Sequence, residues 1–297
     1  MKSEKNPTIV WFQAITCNGN THSLLSSNTT KFELFLNNFN FIYHPSLTID
    51  KSLEDILNED KEIDFLLIEG SISSNDFIFS ISDTSTKNIL EKLSFKAKYI
   101  ISVGSCASFG GIHKKFTQNS DICSVEEALD IKELPNLRHQ IINLSGCPVH
   151  PEWIFQTLNS LKVYKKISLD EFGRPKELYS TLAHHGCTRN EYFEWKVEGE
   201  FGQKEGCLFY NQGCRAPMTH SSCNKILWNE VSSKTRAGVP CVGCTENDFP
   251  RADMLETKKN IGIPQDIPVG ISKRAYLSIS GVAKTFKIDR LHKKLME

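Results

Sequence analysis

The sequence has no excess of charge of either sign and no long hydrophobic run. Lys plus Arg and Asp plus Glu each number 35 among 297 residues, so the formal net charge is zero. A neutral chain without a basic stretch lacks the usual surface for binding nucleic acid or an anionic membrane. No apolar run is long enough to cross a bilayer. These absences argue against a transmembrane segment and against a nucleic-acid partner.

The N-terminal residues also lack the features of an export signal. The charged start Met1–Asn6 leads directly into the apolar run Ile9–Phe12, with neither a secretory hydrophobic region nor a twin-arginine pair. We therefore expect a cytoplasmic location, with peripheral association at a membrane left open. In that reducing compartment the ten cysteines are not expected to form a disulfide framework. Metal ligation or redox chemistry is the expected use of the thiols.

Short apolar runs alternate with helical patterns in the first half of the chain. Strands are predicted at Thr8–Gln13, Phe65–Ile68, Tyr99–Val103 and Gln140–Leu144, and helices at Ser52–Leu57, Asn88–Leu93 and Trp153–Leu161. This alternation predicts an α/β fold with a parallel, doubly wound sheet. From about Ser168 onward apolar runs are few, which is typical of a loop-rich domain organised by metal centres. We expect two domains, residues 1–165 and 166–297.

Cysteines follow three of the four predicted strands. Cys17 comes after the first strand, Cys106 after the third and Cys147 after the fourth, while Glu69 follows the second. Open α/β sheets bind ligands beyond the carboxyl ends of their strands. The sequence therefore predicts that Cys17, Cys106 and Cys147 meet at one edge of the sheet and hold one cluster.

The second half contains seven further candidate ligands: His184, Cys187, Cys207, Cys214, Cys223, Cys241 and Cys244. Two complete tetrahedral zinc sites would need eight ligands, whereas seven divide into a four-ligand cubane and a three-ligand 3Fe-4S centre. Iron-sulfur clusters are therefore favoured, and a zinc-stabilised scaffold without redox function is the alternative. As a ligand, His184 would supply a neutral imidazole in place of a thiolate and so raise the reduction potential of its cluster. The neighbouring His185 is interpreted as a structural residue.

These motifs, in this order, resemble those of the small subunits of nickel-iron hydrogenases over residues 8 to 250. They are W-F-Q-x-x-x-C ending at Cys17, Glu69-Gly70, V-G-S-C-A-S-F-G-G from Val103, G-C-P around Cys147, H-x-x-C at His184, G-C-R-A-P at Gly213 and P-C-V-G-C at Pro240. The resemblance implies a flavodoxin-like first domain with a proximal cluster and a second domain with medial and distal clusters. It also implies a nickel-iron centre on a separate large subunit, and no catalytic residue on this chain.

By this resemblance the cluster ligands fall into three sets. The proximal set is Cys17, Asn20, Cys106 and Cys147; the distal set is His184, Cys187, Cys207 and Cys214; the medial set is Cys223, Cys241 and Cys244. The expected centres are a proximal 4Fe-4S or 3Fe-4S cluster, a medial 3Fe-4S cluster and a distal 4Fe-4S cluster. The resemblance also places Glu69 near the proximal cluster, at the face that contacts the large subunit.

Asn20 departs from the family pattern, in which a C-x-x-C pair opens the proximal site. Its carboxamide oxygen could bind iron as a weak neutral ligand, or the side chain could only hydrogen-bond while three cysteines hold a 3Fe-4S centre. An asparagine here resembles the cytoplasmic uptake group of cyanobacteria and related bacteria. Cys123 pairs with no other cysteine by spacing and is interpreted as an inert buried thiol.

The expected function is electron transfer from dihydrogen oxidation to an acceptor protein or quinone near His184. A hydrogen-sensing regulatory hydrogenase would share the fold and stays an alternative. An iron-sulfur subunit of a quinone-reducing complex would carry adjacent cysteines near the first strand, which this chain lacks. An aromatic set is attributed to core packing or a subunit interface: Trp153, Phe155, Phe209, Tyr210 and Trp228. The last 40 residues, from Lys258, carry no motif.

Overall fold

The computed structural model describes residues 5–73, 75, 79–81, 83–116, 121–130, 141–252, 254 and 271–285. The strands are β1 Thr8–Gln13, β2 Asn40–Tyr43, β3 Ile63–Glu69, β4 Ile72–Ser73, β5 Ser80–Ile81, β6 Thr84–Ser85, β7 Ala97–Val103, β8 Ile122–Cys123 and β9 Ile141–Leu144. The helices are α1 Gly19–Leu25, α2 Thr29–Asn38, α3 Leu53–Asn58, α4 Thr86–Ser94, α5 Ser105–Phe109, α6 Gly111–Phe116, α7 Val125–Ala128, α8 Pro151–Tyr164, α9 Lys176–Tyr179, α10 Asn190–Glu194, α11 Phe209–Gln212 and α12 Lys273–Thr285. Two 3-10 turns span Ala183–Gly186 and Ala216–Met218.

Five strands form one parallel sheet in the order β2-β1-β3-β7-β9. Trp11 of β1 pairs with Leu67 of β3, which pairs in turn with Ile101 of β7. Counted within this sheet alone the order is 2-1-3-4-5, which is the flavodoxin-like arrangement. Most residues of β1, β3 and β7 are buried, as expected of a parallel sheet covered on both faces. The predicted α/β fold is confirmed.

The helices that flank the sheet follow ordinary sequence signals. Ser52 forms a capping box with Asp55 at the start of α3, and Ser85 caps α4 through the N–H of Asn88. The apolar residues of α4, Ile89, Leu90 and Leu93, recur at helical spacing and lie in the same buried cluster as the sheet residues Leu66 and Ile100. Burying that apolar face holds α4 against the sheet.

The sequence pattern does not predict β2 or the two helices before it, α1 and α2. β2 is a short strand at the edge of the sheet, and its residues are exposed or only partly buried. Its sequence follows a polar, asparagine-rich stretch, so the alternation of apolar and polar residues is weak. The fourth predicted strand corresponds to β9, which begins at Ile141, while Gln140 lies outside the described residues.

Contacts between residues divide the chain into two compact units. One comprises Met1–Glu177 and Thr245–Phe249, and the other comprises Leu178–Cys244 and Pro250–Glu297. The first unit continues past residue 165 because Asn143 of β9 donates its N–H to the carbonyl of Gly173, at 2.8 Å. The division of the clusters between two domains that meet near residue 165 stays a prediction.

The second unit is built mostly of short helices and turns. In the part of the chain that the structure describes, α12 is its one long helix. The loop-rich character expected of this region is confirmed, and its apolar core includes Phe193, Leu208 and Phe209. No helix among the described residues is long and apolar enough to cross a bilayer. Apart from residues 271–285, the chain after Lys258 lies outside the described residues.

Candidate metal centres

The loop between β1 and α1 places Cys17 and Asn20 beyond the carboxyl end of β1. An isolated bridge between Ile15 and Ser71 extends the pairing of β1 with the β3 segment, with reciprocal N–H to carbonyl bonds of 3.0 Å. Asn18 then adopts a left-handed conformation, with φ of 60°, and α1 starts at Gly19. This turn leaves Cys17 exposed and buries Asn20.

Cys106 lies in the first turn of α5, directly after β7, and Cys147 follows β9. The two loops are joined by hydrogen bonds: Ser105 N–H donates to the carbonyl of Gly146 at 3.0 Å, and Gly146 N–H donates to the hydroxyl of Ser105 at 2.9 Å. Burial raises the pKa of the Cys106 thiol, the N–H of Ile112 lowers it, and the charge of Cys17 raises it. The fold therefore brings Cys17 within interaction range of Cys106, and holds the loop of Cys147 beside them.

Glu69, at the end of β3, is a fully buried carboxylate that holds this loop in place. It accepts hydrogen bonds from Trp11 Nε1 at 3.1 Å, from the N–H of Asn20 at 2.9 Å, and from both the N–H and the hydroxyl of Thr21 at 3.2 and 2.5 Å. Four donors compensate the buried charge. Glu69 therefore fixes the start of α1, and with it the position of Asn20, relative to the sheet.

The carboxamide of Asn20 is hydrogen-bonded at both ends. Its Nδ2 donates to the carbonyl of Val103 at 3.2 Å, and its Oδ1 accepts from the N–H of Val149 at 2.9 Å. Gly104 makes room for this group, since a Cβ there would lie 2.5 Å from Asn20 Nδ2. The side chain thus connects the end of β7 to the loop that follows β9, and no sequence motif indicates either partner.

In the second unit the cysteines of the expected distal set lie close together. The charges of Cys214 and Cys187 both raise the pKa of Cys207, and burial, the largest cause, brings it to about 12. Backbone N–H groups face two of the sulfurs: Arg189 N–H lies 3.4 Å from Cys187 Sγ, and Phe209 N–H lies 3.4 Å from Cys207 Sγ. Such N–H groups stabilise thiolates and tune the potential of a bound cluster.

The expected medial set converges in the same way. Burial raises the pKa of Cys241 well above its usual value, and the charges of Cys214, Cys223 and Cys244 raise it further. The N–H of Cys241 donates to Cys214 Sγ at 3.2 Å, so the two sets are neighbours. The hydroxyl of Thr219 lies 3.6 Å from Cys241 Sγ, a contact that no sequence motif indicated.

His184 is buried in the 3-10 turn that precedes Cys187. Its ring meets that of Phe193 edge-on, with centroids 4.5 Å apart, and Phe193 shares an apolar cluster with Cys207, Cys214 and Cys241. Burial lowers the pKa of His184 to about 4, so the imidazole is neutral at physiological pH. A neutral imidazole is the form that binds a metal.

The arrangement of the thiols can be compared with what a zinc site and an iron-sulfur cluster each require. Among the described residues, no three His, Cys, Asp or Glu side chains converge closely enough to hold a single metal ion. A tetrahedral zinc site would bring its sulfurs about 3.8 Å apart, since each Zn–S bond is about 2.3 Å. The thiolates of an iron-sulfur cluster are spread over several irons, so a cluster does not require three side chains to converge on one point.

Cys123 and the aromatic set lie outside the three sets of candidate ligands. Cys123, expected to be buried, is in β8 and is only partly buried; its thiol lies 3.6 Å from the carbonyl of Ile72, and burial raises its pKa to about 11, which favours an inert thiol. In the aromatic set, Trp153, Phe155 and Phe209 are buried and pack in the cores of their own units.

Two known protein families match this chain, one over its first part and one over its second. Residues 17–161 match the family of the 20 kDa subunit of NADH ubiquinone oxidoreductase, and residues 179–256 match the C-terminal family of NiFe/NiFeSe hydrogenase small subunits. The F420 non-reducing hydrogenase II small subunit of Methanosarcina mazei is 31% identical, across 82% of this chain and 73% of that protein. The chain belongs to the small-subunit family of nickel-iron hydrogenases.

Other hydrogenase proteins support this assignment. The uptake hydrogenase small subunit of Afipia carboxidovorans is 28% identical, across 84% of this chain and 70% of that protein. The actinobacterial-type NiFe-hydrogenase from Ralstonia eutropha H16 superimposes with a TM-score of 0.76 at 22% identity, covering 98% of this chain and 92% of that one, which shows the shared fold. Small subunits of this family carry iron-sulfur clusters and pair with a nickel-iron large subunit, and the buried thiols and neutral His184 suit such clusters.

Proposed function

We propose that this chain is the electron-transfer subunit of a cytoplasmic nickel-iron uptake hydrogenase. The observation that supports the proposal is that Cys17 lies near Cys106 beyond the carboxyl edge of the sheet, with the loop of Cys147 hydrogen-bonded to that of Cys106, while six cysteines of the second unit lie close together. When bound, the iron-sulfur clusters would supply one-electron carriers between the large subunit and an acceptor protein or quinone. The uptake hydrogenase small subunit among the relatives supports the direction of electron flow.

Each centre is assigned to specific residues. The distal 4Fe-4S cluster would be held by His184, Cys187, Cys207 and Cys214, and the medial 3Fe-4S cluster by Cys223, Cys241 and Cys244. Cys207 interacts with Cys214 and Cys187, whereas Cys241 interacts with Cys214 as well as with Cys223 and Cys244. The six thiols are therefore close together, and their division into two sets follows the family resemblance. The proximal cluster would be held by Cys17, Cys106 and Cys147, with Asn20 beside them.

For Asn20, the structure favours hydrogen bonding over iron ligation. Both ends of the carboxamide are already held, Nδ2 by the carbonyl of Val103 and Oδ1 by the N–H of Val149, so rotating the group toward iron would break one or both of these buried bonds. Leaving a buried backbone group without a partner costs about 1–3 kcal/mol. We therefore assign three thiolates and a 3Fe-4S centre to the proximal site.

Spin counting of the oxidised protein tests this assignment, because oxidised 3Fe-4S centres are paramagnetic. The native protein should contain two such centres, proximal and medial. Asn20→Ala should keep both but lower stability, and Asn20→Cys should remove one by completing a 4Fe-4S cluster. A single centre in the native protein that becomes two in Asn20→Ala would show that Asn20 is a ligand.

The proposed function is tested on the complex with its large subunit, purified without oxygen. The complex should contain iron and sulfide, absorb visible light, and transfer electrons from dihydrogen to an artificial acceptor. Cys207→Ser should abolish most of this transfer by disrupting the distal site, whereas Cys123→Ser is the matched control and should leave it unchanged. A folded, iron-free complex would contradict the proposal.

The rate of turnover separates uptake from sensing. An uptake enzyme should sustain rapid reduction of the acceptor, whereas a regulatory hydrogenase that reports to a kinase should turn over slowly. Fractionation of cells should find the complex in the cytoplasm, either free or peripherally attached to the membrane.

A further inference from the structure

Arg189 is a buried cation with an unusual set of partners. Its side chain is 3% exposed. The guanidinium donates to the carbonyl of Thr235 at 2.7 Å, to those of Glu205 and Gly206 at 2.9 and 2.7 Å, and to that of Gln203. Within the part of the chain that the structure describes, no carboxylate pairs with it. The hydrogen-bonding needs of Arg189 are met, but its charge is not neutralised.

Arg174, which is also almost fully buried, shows the usual arrangement. Its guanidinium lies 2.8 Å from a carboxylate oxygen of Asp170 and 3.6 Å from one of Glu246. Burying a charge is costly unless an opposite charge or a metal centre accompanies it. The contrast indicates that Arg189 is arranged for an anion other than the carboxylates of the described residues.

The surroundings of Arg189 identify that anion. Its own N–H lies 3.4 Å from Cys187 Sγ, and its guanidinium binds the carbonyl of Gly206, the residue before Cys207. Thr235, whose carbonyl is also bound, places its hydroxyl 3.5 Å from Cys187 Sγ. The cation therefore lies among the loops that carry two thiols of the distal set.

We propose that Arg189 is a positioning residue that balances the negative charge of the distal cluster and raises its reduction potential. The inference rests on the proposed function, in which Cys187 and Cys207 hold that cluster. Reduction adds a negative charge to a thiolate-bound cluster, and a buried cation stabilises the reduced form more than the oxidised one. A neutral His184 ligand would act in the same direction, so both features favour delivery of electrons to the distal centre.

The test is a potentiometric titration of the distal cluster in the intact complex, followed by electron paramagnetic resonance of its reduced form. Arg189→Gln removes the charge but keeps an amide donor. At a fixed potential it should shift the ratio of reduced to oxidised cluster roughly tenfold toward the oxidised form, which is 59 mV for a one-electron couple. Arg189→Lys keeps the charge and should leave this ratio within about threefold of the native value.

A matched control separates this effect from the loss of any buried arginine. Arg174→Gln also removes a buried guanidinium, but one that is already paired, so the distal potential should stay at its native value. An unchanged distal potential in Arg189→Gln, with the cluster present, would overturn the role proposed for Arg189. A native complex without a distal cluster would instead contradict the proposed function.

Loss of the distal cluster in an Arg189 variant also tests the proposed electrostatic role. If Arg189→Gln assembles no distal cluster while Arg189→Lys assembles one of native potential, the positive charge is what the site requires, and the proposal holds. If both variants lose the cluster while iron remains at the other two centres, the pattern of five N–H donors is what matters, and the electrostatic role is rejected.

Discussion

At the scale of single residues, the first unit depends on buried polar side chains whose partners are specific. Glu69 accepts four hydrogen bonds and has no exposed surface. His44 is equally buried: its Nδ1 accepts from the N–H of Ser46 at 3.0 Å, and its ring lies 5.1 Å from that of Trp11. Glu69 holds the start of α1 in place, and the protonation of His44 makes the stability of the fold depend on pH.

The stability of the protein should fall in mild acid because of His44. Burial lowers the pKa of His44 to about 4, against the charge of Glu69, whereas the unfolded value is about 6.5. The unfolded chain therefore takes up the proton first. Stability is fully present above pH 6.5 and is lost as the pH falls toward 4, by about 2 kcal/mol between pH 7 and pH 5.

Urea denaturation of His44→Gln at pH 7 and pH 5 measures this contribution. The variant should lose about 2 kcal/mol less than the native protein over that interval, whatever its stability at pH 7. The same substitution at the exposed His22 is the control and should leave the pH dependence unchanged. Equal pH dependence in His44→Gln and the native protein would show that His44 is not the responsible group.

At the scale of elements, the proximal site is formed by the junctions that follow the strands. Gly104, between β7 and α5, has φ of 94°, a conformation that side chains with a Cβ rarely adopt. The same residue faces the Asn20 carboxamide. The junction therefore needs glycine for two separate reasons, its backbone conformation and the close approach of α1.

Gly104→Ala should separate these two contributions when compared with Gly202→Ala. Gly202 also has a positive φ, of 80°, but a Cβ there would meet no atom within 4 Å. We expect Gly202→Ala to cost about 1 kcal/mol through backbone strain, and Gly104→Ala about 3 kcal/mol because the Cβ also displaces Asn20. Urea denaturation of both variants gives these values.

A double variant completes this comparison. In an Asn20→Ala background, the cost of Gly104→Ala should fall to about that of Gly202→Ala, since the displaced carboxamide is gone. Equal costs for Gly104→Ala in the two backgrounds would mean that Asn20 does not occupy the space beside Gly104.

At the scale of the whole molecule, the two units are organised by different forces. The first has a hydrophobic core of sheet and helix residues, including Val10, Leu66 and Leu90. In the second, several thiols are themselves part of the apolar cluster. The short segment Thr245–Phe249 belongs to the first unit, where Arg174 and Ser145 bind the carbonyl of Thr245 at 2.9 and 2.7 Å. The residue before it, Cys244, carries a thiol of the medial set.

The sequence by itself determined the α/β fold, the grouping of thiols at strand ends and the family, because periodicity and ligand spacing are properties of the chain alone. It could not predict the edge strand β2, whose short polar sequence gains its conformation from pairing with β1. It also left the role of Asn20 open and gave no reason to notice Arg189. Those depended on the tertiary structure, since the carbonyls and N–H groups that bind both side chains come from distant segments and carry no signature in sequence.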